Sequence, residues 1–191
     1  MNADAAPRSD AVTRRPSVSL RVISEADAPV LSRLETANRE HLLIGAPERS
    51  DEWVSVEGQR AAIRAVRAEL DAGRCAPLVI VADGEVVGRL SLNGIVRGPL
   101  LSASLGYWVS AHACGRGIAT AAVRLAIDAA FGPVGLHRLE ASVQVGHAAS
   151  LRVLEKCGFT AYGLAPRYLR LGGAWRDCVM LQLLDPADTA G

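Results

Sequence analysis

The chain has 191 residues, half of them hydrophobic, and 21 Lys and Arg set against 20 Asp and Glu give a formal net charge of +1. This length fills one domain and is short for two, and the near-neutral balance offers no global field to nucleic acid or an anionic membrane. Four scattered cysteines, Cys75, Cys114, Cys157 and Cys178, lack C-x-x-C spacing, which argues against a zinc ribbon or disulfide framework and fits reduced thiols in a cytoplasm.

Residues 1–17, rich in Ala, Pro, Asp and Arg, read as a loose tail. Arg14-Arg15 is not followed by an apolar stretch, so no secretion signal is expected, and no run approaches membrane-spanning length. The domain is expected over 18–186, with a short tail at 187–191. A strand is predicted at Ser19–Ile23. Ser24 then caps a helix from Glu25 to Asn38, in which Ala28, Leu31 and Leu34 have helical spacing. Glu40–Trp53 has no clean period and reads as a substrate-facing loop. A second helix is predicted from Ser55 to Ala72, with Ile63, Val66 and Leu70 on one face and Gly73 ending it.

Strands follow at Pro77–Ala82 and Glu85–Leu92, joined by the hairpin dipeptide Asp83-Gly84, and another at Ser102–Ser110. A helical pattern runs from Arg116 to Phe131. Leu136–Val145 is then a strand and Ala148–Cys157 a short helix. Phe159–Leu171 and Ala174–Leu183 close the chain as a hairpin about Gly172-Gly173. The alternation predicts one mixed α/β domain with no internal repeat.

The chemistry concentrates where the strand ending at Val109 turns into a helix through Cys114-Gly115-Arg116-Gly117. The two glycines let the backbone approach a ligand closely. A helix starting there offers unpaired N–H groups and the positive end of its dipole to an anion, and Arg116 adds a charge within reach of a phosphate. The spacing fits neither the dinucleotide fingerprint, which needs a third glycine, nor a P-loop, which needs a following Gly-Lys-Ser/Thr.

Several further segments in register resemble the GCN5-related N-acetyltransferase (GNAT) superfamily, and within it the RimJ/RimL-type branch that acetylates ribosomal-protein N-termini. They are Gly88 to Asn93, Leu105 to Trp108, Gly115 to Thr120, Leu136 to Ala141, Ser150 with Glu155 to Phe159, and Trp175 to Asp177. The resemblance implies a mostly antiparallel mixed sheet with helices on both faces and a splay between the fourth and fifth strands. It also implies acetyl-CoA as acetyl donor without a metal, its pantetheine arm pairing with the strand ending at Val109 like an added edge strand. Its pyrophosphate is expected over Cys114, Gly115, Arg116, Gly117, Ile118, Ala119 and Thr120, with His147 and Ser150 as further cofactor contacts. An amine would attack the thioester directly, so the protein positions two reactants, keeps the amine neutral and helps the thiolate leave.

The chain departs from the family pattern at Cys114, Ala121, His147, Leu154 and Cys178, where a polar opener, a glutamate, an asparagine, a tyrosine general acid and a histidine are usual. With Leu154 unable to donate a proton, Ser150 is the candidate donor to the leaving thiolate, against the alternative of a serine bonding its own backbone. His147 is a candidate base or a plain hydrogen-bonding replacement for the asparagine. Asp177 is a candidate amine binder or base, or else a brace for a turn. Tyr107, Tyr168, Glu40 and Glu57 are candidate acceptor-site residues, although Tyr107 and Trp108 alternate across their strand and only one faces the cleft. His41, His112 and His137 form no metal spacing.

The acceptor expected from the resemblance is a protein N-terminal α-amine. A small amine such as an antibiotic or metabolite is the alternative, and an acyl-CoA-binding sensor without turnover a third. The remaining expectations are a cytoplasmic monomer or homodimer with no nucleic-acid or membrane partner.

Overall fold

Seven strands form one sheet in the order β1-β2-β3-β4-β5-β7-β6, built from β1 (Val18–Val22), β2 (Ala76–Ala82), β3 (Glu85–Val96), β4 (Ser102–Val109), β5 (Arg138–Gln144), β6 (Thr160–Leu171) and β7 (Ala174–Leu184). The computed structural model describes residues 15–188. Most of the first predicted tail, and the last three residues of the second, lie outside them. Every strand pairing is antiparallel except β4 with β5. That parallel pairing joins only Ser102, Ala103 and Ser104 to Arg138, Leu139 and Glu140. Past Ser104 the two strands separate, and the edges that face each other there have no strand partner.

Helices cover both faces. On one side lie α1 (Ala28–Ala37) and α4 (Val56–Asp71), packed through Ile23, Ala28, Leu31, Ile63 and Val79. On the other lies α5 (Ile118–Phe131), whose small residues Ala122, Ala126 and Ala130 recur every four positions and are fully buried, so the helix sits close on the strands. The short α6 (Ala148–Lys156) packs beside it through Leu154. Alternation places Leu139, Ala141 and Val143 of β5 inward. Among the described residues no helix is long and apolar enough to cross a membrane.

The predicted Glu25–Asn38 helix is split. Ser24 and Asp27 make a capping box around a single 3-10 turn, Glu25–Asp27, and α1 begins at Ala28. The predicted loop Glu40–Trp53 contains two helical turns, α2 (Arg39–Leu42) and α3 (Asp51–Val54). Ser50 and Ser55 cap α3 and α4 by accepting from the amides of Trp53 and Gly58. The helix predicted from Arg116 starts two residues later, because Gly117 is left-handed (φ +78°) and serves as its N-cap. Strand β3 runs four residues past the predicted Leu92, where pairing with Ser102 carries it to Val96.

Candidate active site

The separation of β4 and β5 opens a cavity of about 1210 Å³ that is lined by Leu105 to Val109 from one strand and Ala141 to Gln144 from the other. Backbone groups on these facing edges are free to pair with an extended ligand, as a new strand would. The sequence brings two different chemistries to the two sheet faces of this opening.

On the α5 side the chain turns through Gly115 (φ +75°) and Gly117 (φ +78°), a left-handed backbone that side chains resist. A Cβ at either position would meet nothing within 4 Å, so the space above the turn is open to a ligand. The amide N–H groups from Gly115 to Thr120 make no backbone hydrogen bond within the chain; the first intrahelical bond is Ala121 to the Gly117 carbonyl, 3.0 Å. Gly115, Gly117, Ile118, Ala119 and Thr120 all line the cavity, with Arg152 and Lys156 adding positive charge from α6. Unpaired donors at a helix start, open space and two cations suit a pyrophosphate. The Arg116 side chain pairs with Asp83 at 3.2 Å and does not line the cavity, so its contribution to the turn here is its backbone amide.

Tyr107 points to this same face. It pairs opposite Leu90 and packs in the α5 core, whereas its neighbour Trp108 packs against the α1 and α4 cluster. The Tyr107 hydroxyl lies 3.0 Å from Ser150 Oγ and 3.3 Å from the Ser150 carbonyl. Burial pushes this phenol up to about 12, against the smaller opposing effect of the Ser150 bond. It therefore stays protonated throughout the physiological range. Tyr107, expected on the acceptor side, is instead coupled to Ser150. The position of the missing family tyrosine, Leu154, is fully buried in the core, so a phenol enters the site from β4 rather than from α6.

His147 is the N-cap of α6, where Nδ1 accepts from the Ser150 amide at 3.2 Å. A backbone amide can only donate, so the lone pair sits on Nδ1 and the proton on Nε2. The histidine is held here in the position of an N-cap, with its Nδ1 lone pair engaged by the Ser150 amide. The ring is covered by the α2–α3 segment, because a Cβ on Gly45 would come within 3.3 Å of it.

Val109 and Cys114 are joined to α2 through His41. Its Nε2 lies 3.2 Å from the Val109 carbonyl and 3.7 Å from Cys114 Sγ. One helical turn earlier, buried Asn38 accepts the Ala111 amide (2.7 Å) and the Ser110 hydroxyl (3.1 Å). The end of the α1 segment is in this way tied to the start of the glycine turn.

The remaining candidates do not converge. Asp177 accepts the amide of Arg167, a residue with φ +50°, at 2.7 Å and so braces an irregularity of β6. Glu57 pairs with Arg60 on the surface of α4. Glu40 and Tyr168 are exposed, and none of these four lines the cavity.

Two charged residues that sequence reasoning passed over do line it. Glu35 is only 7% exposed, and Arg89 is half-buried on β3 opposite Trp108. The signal for Glu35 was available: it follows Leu31 by four residues, on the stripe of Ala28 and Leu31 that meets the sheet. Among the described residues no three His, Cys, Asp or Glu side chains group to hold a metal.

Comparison with known proteins bears on the family and the fold. The acetyltransferase (GNAT) domain model matches residues 17–160. The probable N-acetyltransferase YjcK of Bacillus subtilis is 36% identical over 174 residues, covering 90% of this chain and 96% of that protein. The ribosomal protein uS5-alanine N-acetyltransferase of Escherichia coli is 26% identical, covering 90% of each. Among solved structures, Mycobacterium smegmatis RimJ in complex with CoA-disulfide superposes with a TM-score of 0.87 at 37% identity, covering 91% of this chain and 85% of that one.

Proposed function

This chain belongs to the acetyltransferase (GNAT) domain family, and from that premise we propose that it moves an acetyl group from acetyl-CoA to the α-amine of a protein N-terminus. The carrying observation is the opening between β4 and β5, which reaches both faces of the sheet. One face holds an anion cradle with a proton donor, and the other a mouth lined by Glu35 and Arg89. The names of the relatives, RimJ and the uS5-alanine enzyme, support the choice of acceptor.

In this reading the amides of Gly115 to Thr120, with Arg152 and Lys156, hold the cofactor's phosphates. The free edges of β4 and β5 hold its extended arm. Acetyl-CoA supplies the thioester, and the enzyme's task is to bring a neutral amine against it and to protonate the sulfur that departs. Ser150 gives its hydroxyl proton to the thiolate and is replenished by the Tyr107 phenol 3.0 Å away. His147 fixes the start of α6, and with it the Ser150 position, through the amide contact. Orienting both reactants in one cleft contributes most of the acceleration expected of a reaction that needs no covalent enzyme intermediate.

The test is thiol release from acetyl-CoA against peptides with free Ala, Ser or Met N-termini and, separately, against aminoglycosides and polyamines. Release with peptides, and mass addition at the peptide N-terminus, is the expected result. Release with small amines alone would overturn the acceptor assignment.

A further inference from the structure

The α1 and α4 side of the cavity carries two opposite charges with no internal partner. Glu35 faces the sheet from α1, and its carboxyl is raised by burial, while Arg89 and Arg49 act on it only as neighbouring charges and no hydrogen bond reaches it. Among the described residues, Gln59 Oε1 is the one fully enclosed side-chain oxygen lacking a partner. The Glu35 oxygens, equally without a partner, therefore meet the cavity that Glu35 lines. Arg89 lies on the same sheet face as Trp108; its guanidinium likewise is affected by burial and by the charge of Glu35, with no hydrogen bond contributing.

A buried carboxylate and a half-buried guanidinium without hydrogen bonds cost stability. Direct pairing would relieve that cost, yet the two side chains do not pair. Both line the cavity, so a ligand there that carries a cation for one and an oxygen acceptor for the other would relieve it. Both residues also stand on the opposite sheet face from the Gly115 to Thr120 cradle, where the second reactant has to enter.

We propose that Glu35 and Arg89 form the acceptor subsite, in which the Glu35 carboxylate receives the acceptor's ammonium and Arg89 donates to the carbonyl oxygen beside it; the ammonium releases a proton to solvent water before the neutral amine attacks. This rests on the α-amine reading above and narrows it. An α-ammonium next to a peptide carbonyl matches the two charges in one small group. An extended polyamine brings several cations and no oxygen, so Arg89 and Arg49 repel it.

The experiment measures KM and kcat for an N-terminal alanine peptide, together with calorimetric CoA binding, for the wild type, Glu35→Gln, Arg89→Met and Arg89→Lys. Glu35→Gln and Arg89→Met are expected to raise the peptide KM at least about tenfold, the loss of a charge-assisted hydrogen bond, while CoA affinity is unchanged. Arg89→Lys should recover part of the loss. Glu35→Gln should also melt no lower than the wild type, because it removes a buried charge without a partner; a merely structural Glu35 would melt lower. An unmoved peptide KM in both variants, with a wild type that acetylates the peptide, overturns the subsite alone. A wild type that acetylates small amines but no peptide overturns the α-amine reading, and the subsite falls with it.

Discussion

The Tyr107 phenol and the Ser150 hydroxyl stand 3.0 Å apart across the seam between β4 and α6, with the phenol pushed up to about 12 by burial. The phenol can refill the serine once the serine has given up its proton, so their contributions to thiolate departure are coupled. Tyr107→Phe and Ser150→Ala are each expected to lower kcat about 10²-fold, and the double variant should be scarcely worse than either. CoA affinity should stay within about twofold in all three. Losses that simply add in single-turnover kinetics would mean that the two groups act separately.

The same phenol has a stability signature. Its native value lies above the ordinary 10.0, so below that value both folded and unfolded states are protonated and no pH dependence arises. As pH rises from 10 toward 12 the unfolded chain releases the proton that the native state keeps, and stability falls. Urea titrations over that range should show a shallower decline for Tyr107→Phe than for the wild type.

Gly117 separates backbone strain from ligand space. Asparagine tolerates the left-handed conformation better than other side chains, so Gly117→Asn should fold, yet its side chain occupies the open space above the turn. Calorimetric CoA affinity is expected to drop at least about tenfold with only a small loss in melting temperature. Wild-type affinity in a folded Gly117→Asn would remove the cradle from the cofactor site.

Cys114 offers a check that needs no mutation. It is exposed and lines the cavity, whereas Cys75 and Cys178 are buried. Alkylation followed by peptide mass mapping should label Cys114 well before those two, and saturating acetyl-CoA should slow that labelling selectively. Equal labelling with and without the cofactor would place the bound molecule away from the turn.

Asp27 carries the acid sensitivity of the α1 side. Burial alone would raise its carboxyl, but the Arg21 guanidinium at 2.6 and 2.8 Å and the Ser24 amide at 2.8 Å outweigh it and hold it below the ordinary 3.8. The depressed value means that this stabilisation is present in full above that pH and is lost as pH falls through the native value. Asp27→Asn should cost about 2 kcal/mol at neutral pH by urea denaturation, and the gap to the wild type should close in acid. A constant gap down to low pH would contradict the assignment.

What local order could specify was legible in the residues themselves. The alternation of β5, the Asp83-Gly84 hairpin, the cap at Ser24 and the glycine turn before α5 depend on neighbours within a few positions. What depended on partners distant in the chain was not. Whether Tyr107 or Trp108 faces Ser150 follows from the pairing of β4 with β3 and from the position of α6, 43 residues away. That the Arg116 side chain meets Asp83 follows from the β2–β3 hairpin, which brings Asp83 to it from 33 residues away. The helical stripe of Ala28 and Leu31 marks Glu35 as inward-facing, but that it meets Arg89 across a cavity is set only when α1 is laid on the sheet. Packing alone removes them from water and leaves them facing the cavity, since burial is a property of the assembled layers and not of any short stretch of chain.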